Sequence, residues 1–426
     1  MRLVYLSTDP GISWGGAKGA SVHLGEIVEA LAREGADVLV LVNDIAPEAP
    51  STAPRVTVEK LPFPRKHVSV DELLAGESAL ARWLEERIRV FGSDALQERI
   101  ALYSAAGSTA AHALGVPYLV ELDAPLPEEA ARYRTLERPE AALELERTVL
   151  SSADLVFPVS SPLADYASRR GAKRVEVMPN AVSLQRFKAP ATRTDGRAPI
   201  AVFAGALRPW HGVDTIAEAW QRLGSDAPRL RVIGDGPGRD ALAAVGGEMM
   251  GAVAHADVPA LLVSADIGLA PYSADAPTYF SPLKLFEYLA AGLAVVAADI
   301  PGVRDIVGTD GALLMPPGDT EALARGVAAL AADGGMRSRL RENARSIAPL
   351  HTWEQRARRI LRAVHELSAE KAVPACASVR SGGFPPVRSA FSDRTRGGSG
   401  SRSCSRRRRR ESSFSPISAS RLCCST

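Results

Sequence analysis

The sequence predicts an α/β protein made of two doubly wound, Rossmann-like domains facing each other across a cleft. Three observations carry this. Short apolar runs alternate with helically periodic segments through the first 366 residues, the pattern of a parallel sheet covered by helices. The series breaks at residues 189–199 (APATRTDGRAP), a polar, Pro/Gly-rich stretch without periodicity that reads as a linker, and then begins again. Each half has about 180 residues, enough to bury its own core.

Residues 2–6 (RLVYL) form the first expected strand, and a glycine-rich loop runs from Gly11 to Gly19. A helix follows from about Ala20, with Leu24, Ile27, Val28 and Leu31 on one apolar stripe. Gly35 ends it, and DVLVLV (37–42) is the next strand, closing a βαβ unit. Further strands are expected at 117–121 (PYLVE), 154–157 (DLVF) and 174–177 (RVEV). Beyond the linker the strands are IAVFA (200–204), LRVI (230–233), DIGLA (266–270) and AVVAA (294–298), with helices between them. Residues 353–366 (WEQRARRILRAVHE) form a last amphipathic helix. The implied division is 1–185, 186–352, a helix over 353–370 returning to the first domain, and a tail over 371–426.

The chain has 426 residues, 46% hydrophobic and 23% charged, an ordinary globular composition. Its net charge of +2 conceals an asymmetry: residues 371–426 carry twelve basic and two acidic side chains, leaving the first 370 at −8. All four cysteines (Cys376, Cys404, Cys423, Cys424) lie in that tail, which excludes a disulfide framework and a cysteine-ligated zinc site for the body. No apolar run reaches the roughly 18 residues a membrane span needs, and Asp9 and Pro10 come too early for a secretory core. A soluble, cytoplasmic body is expected. The tail, rich in Ser, Gly and Arg, is expected to be disordered. Its Arg406–Arg410 run suits nucleic acid or an anionic membrane surface but also a solvated extension, and no function is assigned to it.

The most informative segment is Tyr279–Gly292 (YFSPLKLFEYLAAG). Ser281 suits an N-cap, Pro282 the first helical position and Gly292 the position after the end, so a helix over 282–291 is expected. Its only charges, Lys284 and Glu287, are three apart and share a face. Free amides and Lys284 in the first turn make a site for phosphate, and Glu287 one turn on can accept bonds from vicinal hydroxyls. The other reading of the pair is a surface ion pair worth a few tenths of a kcal/mol. The loop Gly205–Gly212 (GALRPWHG) joins strand to helix and offers Arg208 and His211 to phosphate, or is an exposed turn. Gly15 and Gly16 lie in a third such loop, which does not match G-x-G-x-x-G. The turn at 234–238 (GDGPG) carries no assigned role. Leu143, Leu145 and Val149 read as core.

These stretches resemble the retaining nucleotide-sugar glycosyltransferases of the GT-B fold, the "group 1" family. The resemblance rests on AVFAGALRPWHGVDTIAEAW, LRVIGDGPGRDAL, ADVPALLVSADIGLAPY and SPLKLFEYLAAGLAVVAADIPGVRDIV in the second half. In the first half it rests on GGAKGASVHLGEIVEALAREGADVLVL and VSSPLADYASRRGAKRVEVMPNAV. It covers about residues 1–366.

The resemblance implies a transferase that moves a hexose-type sugar from a nucleoside diphosphate donor, UDP- or GDP-linked, to a hydroxyl acceptor. The acceptor would be a glycan, a lipid-linked sugar or a small molecule, in polysaccharide biosynthesis. Configuration would be retained by front-face substitution, with no metal and no resident cofactor. Glu287 would hold the ribose, and Lys284 with Ser281, Pro282 and Leu283 would face the diphosphate and sugar. Arg208 or His211 would hold the diphosphate, Gly15 and Gly16 would approach it from the first domain, and Val253 and Ala254 would flank the base. No nucleic-acid partner is expected, and a peripheral membrane contact is left open. Three positions depart from the pattern. Tyr279 replaces a glutamate, His211 a lysine, and Asp123 the histidine that contacts the donor sugar. Asp123 could contact sugar hydroxyls, orient the acceptor, or serve as an N-cap or turn residue. A 2-epimerase of the same fold and a non-catalytic nucleotide-sugar binder are the alternative functions.

Overall fold

The structure, a computed structural model, describes residues 1–47, 49, 52–187 and 197–372. Most of the expected linker and the tail beyond residue 372 lie outside these residues. The described residues make one compact unit.

The first half runs β1 (Arg2–Ser7), β2 (Ser13–Trp14), α1 (Gly19–Arg33), β3 (Asp37–Val42), β4 (Asp44–Ile45), β5 (Val56–Lys60) and α2 (Val70–Phe91). It continues with β6 (Ala95–Arg99), α3 (Ala106–Leu114), β7 (Tyr118–Leu122), α4 (Leu126–Tyr133), α5 (Pro139–Ser152), β8 (Leu155–Pro158) and α6 (Ser161–Arg169). The second half runs β9 (Ile200–Ala204), α7 (Val213–Leu223), β10 (Arg229–Ile233), α8 (Arg239–Ala244), β11 (Glu248–Gly251), α9 (Val258–Val263) and β12 (Ile267–Ala270). Then come α10 (Leu283–Ala290), β13 (Ala294–Ala298), α11 (Pro301–Val307), β14 (Leu313–Met315), α12 (Thr320–Ala332), α13 (Gly334–Ile347) and α14 (Trp353–Ala372).

Each half holds one six-stranded parallel sheet. The orders are β5-β3-β1-β6-β7-β8 and β11-β10-β9-β12-β13-β14; β2 and β4 pair separately. Both sheets therefore reverse winding, between β1 and β6 and between β9 and β12, and ligands of such sheets bind at the carboxyl ends beside that reversal. Side chains alternate across the central strand: Leu3 and Tyr5 pack with Leu24, Ile27 and Val28 of α1, whereas Val4 and Leu6 pack with Leu80, Leu84 and Ala110 of α2 and α3. Helix α14 joins the first sheet, with Trp353, Ala357, Ile360 and Val364 buried against the α1 layer. The chain crosses between the halves twice, side by side: Val182 pairs in parallel with Thr352, and the Val182 amide donates to the His351 carbonyl at 3.0 Å.

The apolar runs all became strands within a residue or two, with one exception. At 174–177 only Val175 bridges to Val156; the segment leaves the sheet at Pro179, which has no amide to give. The strands that the apolar pattern does not announce are edge strands, such as β5, β11 and β14, and one central strand. That one, β6 (ALQER), buries all five residues, including Gln97, Glu98 and Arg99, because its polar side chains find partners inside. Among the described residues no helix is long and apolar enough to cross a membrane.

Candidate active site

Helix α10 starts one residue later than expected. Ser281 is not its cap: the Ser281 hydroxyl accepts the Asn180 amide at 2.9 Å and is thereby spent on the crossing segment. Pro282 stands extended at the N-cap position (ψ 116°), and no side chain caps the helix. The Leu285 amide bonds back to the Pro282 carbonyl at 3.0 Å, and the Leu283 and Lys284 amides ahead of it, which have no intrahelical acceptor, are left for a ligand. The far end is as expected, with Gly292 at φ 64°.

Lys284 and Glu287 do not pair with each other, so the surface ion-pair reading fails. Lys284 is only 8% exposed and its Nζ has no hydrogen-bond partner. The ammonium sits 4.0 Å from the centre of the Phe203 ring and 5.6 Å from that of Tyr272. Burial pulls its pKa down from 10.5 to about 7, with Glu287 pulling the other way. A buried ammonium without an anion is costly, and the site is short of one negative charge.

The 205–212 loop lies directly beside this ammonium. Gly205 has φ 134°, and a Cβ there would come 3.1 Å from Lys284 Nζ. His211 Nδ1 is 2.6 Å from the Ala206 carbonyl, so that nitrogen carries the proton. Burial first, then Lys284 and Arg208, push the His211 pKa down to about 3; His211 is a neutral ring and not a weak cation. Arg208 is exposed, its guanidinium 5.9 Å from the Trp210 ring centre. Among the described residues neither Arg208 nor Lys284 forms an ion pair. The 234–238 turn buttresses this loop: a Cβ on Gly234 would fall 2.0 Å from the Gly205 carbonyl oxygen.

Glu287 accepts instead from His255, Nε2 to Oε1 at 3.0 Å. His255 follows Val253 and Ala254, so the loop assigned to the base stands beside the carboxylate assigned to the ribose. Arg186 donates to the His255 carbonyl (2.5 Å) and to Glu26 Oε1 of α1 (2.6 Å). Val22, Glu26, Arg186, His255, Leu283 and Glu287 line one cavity between the halves. Sequence reasoning missed Glu26, Arg186 and His255. Only His255, next to an assigned loop, left a signal there.

The first-half glycine loop reaches the same place. Gly15 adopts φ 73°. A Cβ on Gly16 would come 2.6 Å from Ser13 Oγ and 2.7 Å from Ser21 Oγ, and one on Gly19 would touch Leu283 Cδ1 at 3.5 Å. Asp123 is neither an N-cap nor a free turn residue. The cap of α4 is Pro125, and Asp123 Oδ2 lies 3.2 Å from Arg99 Nη1 in a buried cluster with Glu121 and His23. Burial raises the Asp123 pKa, with Arg99 opposing and Glu121 adding to the rise. The carboxylates of this cluster already face the fixed charge of Arg99, which disfavours a metal cation there. Tyr279, at the departing position, donates to Glu129 of α4 at 2.7 Å.

Two family models match the chain, the Glycosyl transferase 4-like domain over residues 18–181 and Glycosyl transferases group 1 over 198–333. Two relatives are similar in sequence. The putative teichuronic acid biosynthesis glycosyltransferase TuaC of Bacillus subtilis is 29% identical over 196 residues, 44% of this chain and 49% of that one. The chain thus spans about half the length of that relative. The GDP-mannose-dependent alpha-mannosyltransferase of Mycobacterium tuberculosis is 28% identical over 319 residues, 71% of this chain and 81% of that one. Among solved structures, sucrose-phosphate synthase of Thermosynechococcus elongatus superposes with a TM-score of 0.69 at 19% identity, over 87% of this chain and 100% of that one. Anabaena HepE in complex with UDP gives 0.64 at 16%, over 86% and 100%.

Proposed function

Because the chain belongs to the group 1 glycosyltransferases on a GT-B scaffold, we propose that it moves a hexose-type sugar from a UDP- or GDP-linked donor to a hydroxyl acceptor, with retention of configuration. One observation carries the reading: a buried ammonium without a partner, Lys284, sits in an uncapped first helical turn at the carboxyl edge of the β9/β12 reversal. A diphosphate placed there meets the α10 amides, Lys284 and Arg208. Glu287, one turn deeper, takes the ribose hydroxyls once it shares or releases His255. The mannosyltransferase relative names GDP-mannose, and the HepE structure holds UDP, so both nucleotides are candidates. TuaC is named for teichuronic acid biosynthesis, which makes assembly of a polysaccharide the favoured setting.

Negative charge grows on the leaving diphosphate in the transition state. Donors fixed before the reaction and aimed there lower the barrier more than they tighten the ground state. Neutralisation is assigned to Lys284, Arg208 and the helix amides, without a metal or a resident cofactor. Losing one such donor costs about 3 kcal/mol, roughly a hundredfold in rate. Lys284→Ala and Glu287→Ala should each lose at least that much turnover and keep the wild-type circular dichroism spectrum. UDP or GDP at a hundred times its dissociation constant should stabilise the wild-type chain by about 2.7 kcal/mol in thermal unfolding. Normal turnover in both variants, with sugar donors supplied in panel, removes the site.

A further inference from the structure

We propose that His23 and Asn180 are positioning residues for the donor. They form a charge-dependent hydrogen-bond relay that carries the state of a buried ion cluster in the first half to the backbone just ahead of α10. The proposal rests on the reading of α10 as the donor site.

The relay is continuous and buried. Glu121 accepts from Arg99 Nη1 (2.8 Å) and from the Tyr5 hydroxyl (2.8 Å). The same carboxylate lies 2.7 Å from His23 Nε2. On the other side of the ring, His23 Nδ1 is 2.5 Å from Asn180 Oδ1. Asn180 then holds Ser281 twice: its amide donates to Ser281 Oγ at 2.9 Å and its Nδ2 to the Ser281 carbonyl at 2.5 Å. Ser281 is two residues ahead of the first helical residue of α10.

Counting protons along this chain gives the inference. Both neighbours of His23, Glu121 and Asn180 Oδ1, are acceptors, and a neutral imidazole has one N–H, not two. The arrangement therefore requires the imidazolium. Asn180 cannot reverse its amide to suit a neutral ring, because its oxygen would then face the Ser281 carbonyl. A neutral ring keeps its one N–H on Nε2, where the Glu121 carboxylate accepts the stronger, charge-assisted bond. Loss of the second proton thus breaks either the Nδ1 bond to Asn180 or the grip of Asn180 on Ser281. The charged and titratable groups facing His23 are Glu121 and Asp123 from the β7 end and Arg99 from β6, with Tyr5 of β1 on the far oxygen of Glu121. From the crossing segment and α14 it meets Asn180 and the Trp353 ring, the latter edge-on at 4.8 Å between centres. Burial, the largest influence, disfavours the cation, but the charge and hydrogen bond of Glu121 together with Asp123 raise the His23 pKa from its ordinary 6.5. With a raised pKa, the relay is engaged at low pH and lost as pH rises through the folded value.

Lys284 also loses its charge on the alkaline side, so the test compares two proteins that both contain it. Dissociation constants for UDP and GDP are measured by calorimetry on the full chain and on His23→Gln from pH 6 to 9. The expected result is a ratio, variant over wild type, of about ten at pH 6, the scale of one charged hydrogen bond. The ratio should fall towards one at pH 9. A ratio that stays constant overturns the relay. If His23→Gln does not fold, the wild-type chain still decides the matter through histidine ¹⁵N chemical shifts. Imidazolium at His23 at pH 6.5 supports the relay; a neutral tautomer at that pH overturns it. If neither UDP nor GDP binds the wild-type chain, the donor-site reading itself fails, whereas the ¹⁵N shifts report on the relay alone.

Discussion

Lys284 shows how much one side chain can reveal about a missing partner. Its ammonium is buried between aromatic rings, and its pKa of about 7 lies far below that of a solvated lysine. A bound diphosphate favours the charged form and pulls the pKa back towards 10.5. Between those two values, nucleotide binding must take up a proton; at pH 6 the lysine is already charged and takes up almost none. Calorimetry at pH 8 in two buffers of different ionisation enthalpy should therefore show uptake of nearly one proton by wild type and little by Lys284→Met. The same shift sets a sign for folding. The unfolded chain holds this proton more tightly, so the Lys284 contribution to stability improves as pH climbs from about 7 to 10.5. The spacing of Lys284 and Glu287 on one short apolar helix was readable from the sequence. Their partners were not. Phe203 and His255 come from other strands and loops, and no local pattern says that a lysine will lie on one ring while its neighbour binds another.

At the level of elements, the donor segment is shaped by what presses on it. A Cβ on Gly302, in the first turn of α11, would come 1.7 Å from the Phe280 carbonyl oxygen. Gly302→Ala must push the 279–281 segment and the start of α10 aside, and nucleotide binding should weaken more than tenfold. Gly25, inside α1, has open space where a Cβ would stand, with no atom within 4 Å. Gly25→Ala should therefore stabilise by up to about 1 kcal/mol and leave binding unchanged. Differential scanning calorimetry and a UDP or GDP titration on both variants check the pair. Element positions were largely legible because parallel strands covered on both faces read as unbroken apolar runs. The misreadings have local causes. Ser281 has the chemistry of a cap, but a chain crossing 101 residues earlier claims its hydroxyl. Strand β6 hid because Gln97, Glu98 and Arg99 are polar, and only the completed cluster with Glu121 and Tyr118 gives them partners.

Across the whole molecule, the two halves meet at charged and aromatic contacts drawn from helices and loops of each. Glu26 reaches Arg186 and, through it, His255; Tyr279 reaches Glu129; Tyr133 of α4 lies 5.7 Å from Trp210, ring centre to ring centre. The division into two sheets was visible in the repeat of strand and helix signals, whereas the side-by-side crossings at Val182 and Thr352 join residues too far apart in sequence to be read. The closing helix, α14, completes the core of the first half. Trp353 is 3% exposed there, and Trp353→Ala should cost about 3–5 kcal/mol, lowering the unfolding midpoint in urea. This placement sets an order of events at the ribosome. The front half cannot seal its α1 layer until residues 353–372 have emerged, so the rear sheet can finish its own core while the front one still waits, greasy and uncovered. Until that helix arrives, the nascent front half should expose the apolar α1 layer that the finished protein hides.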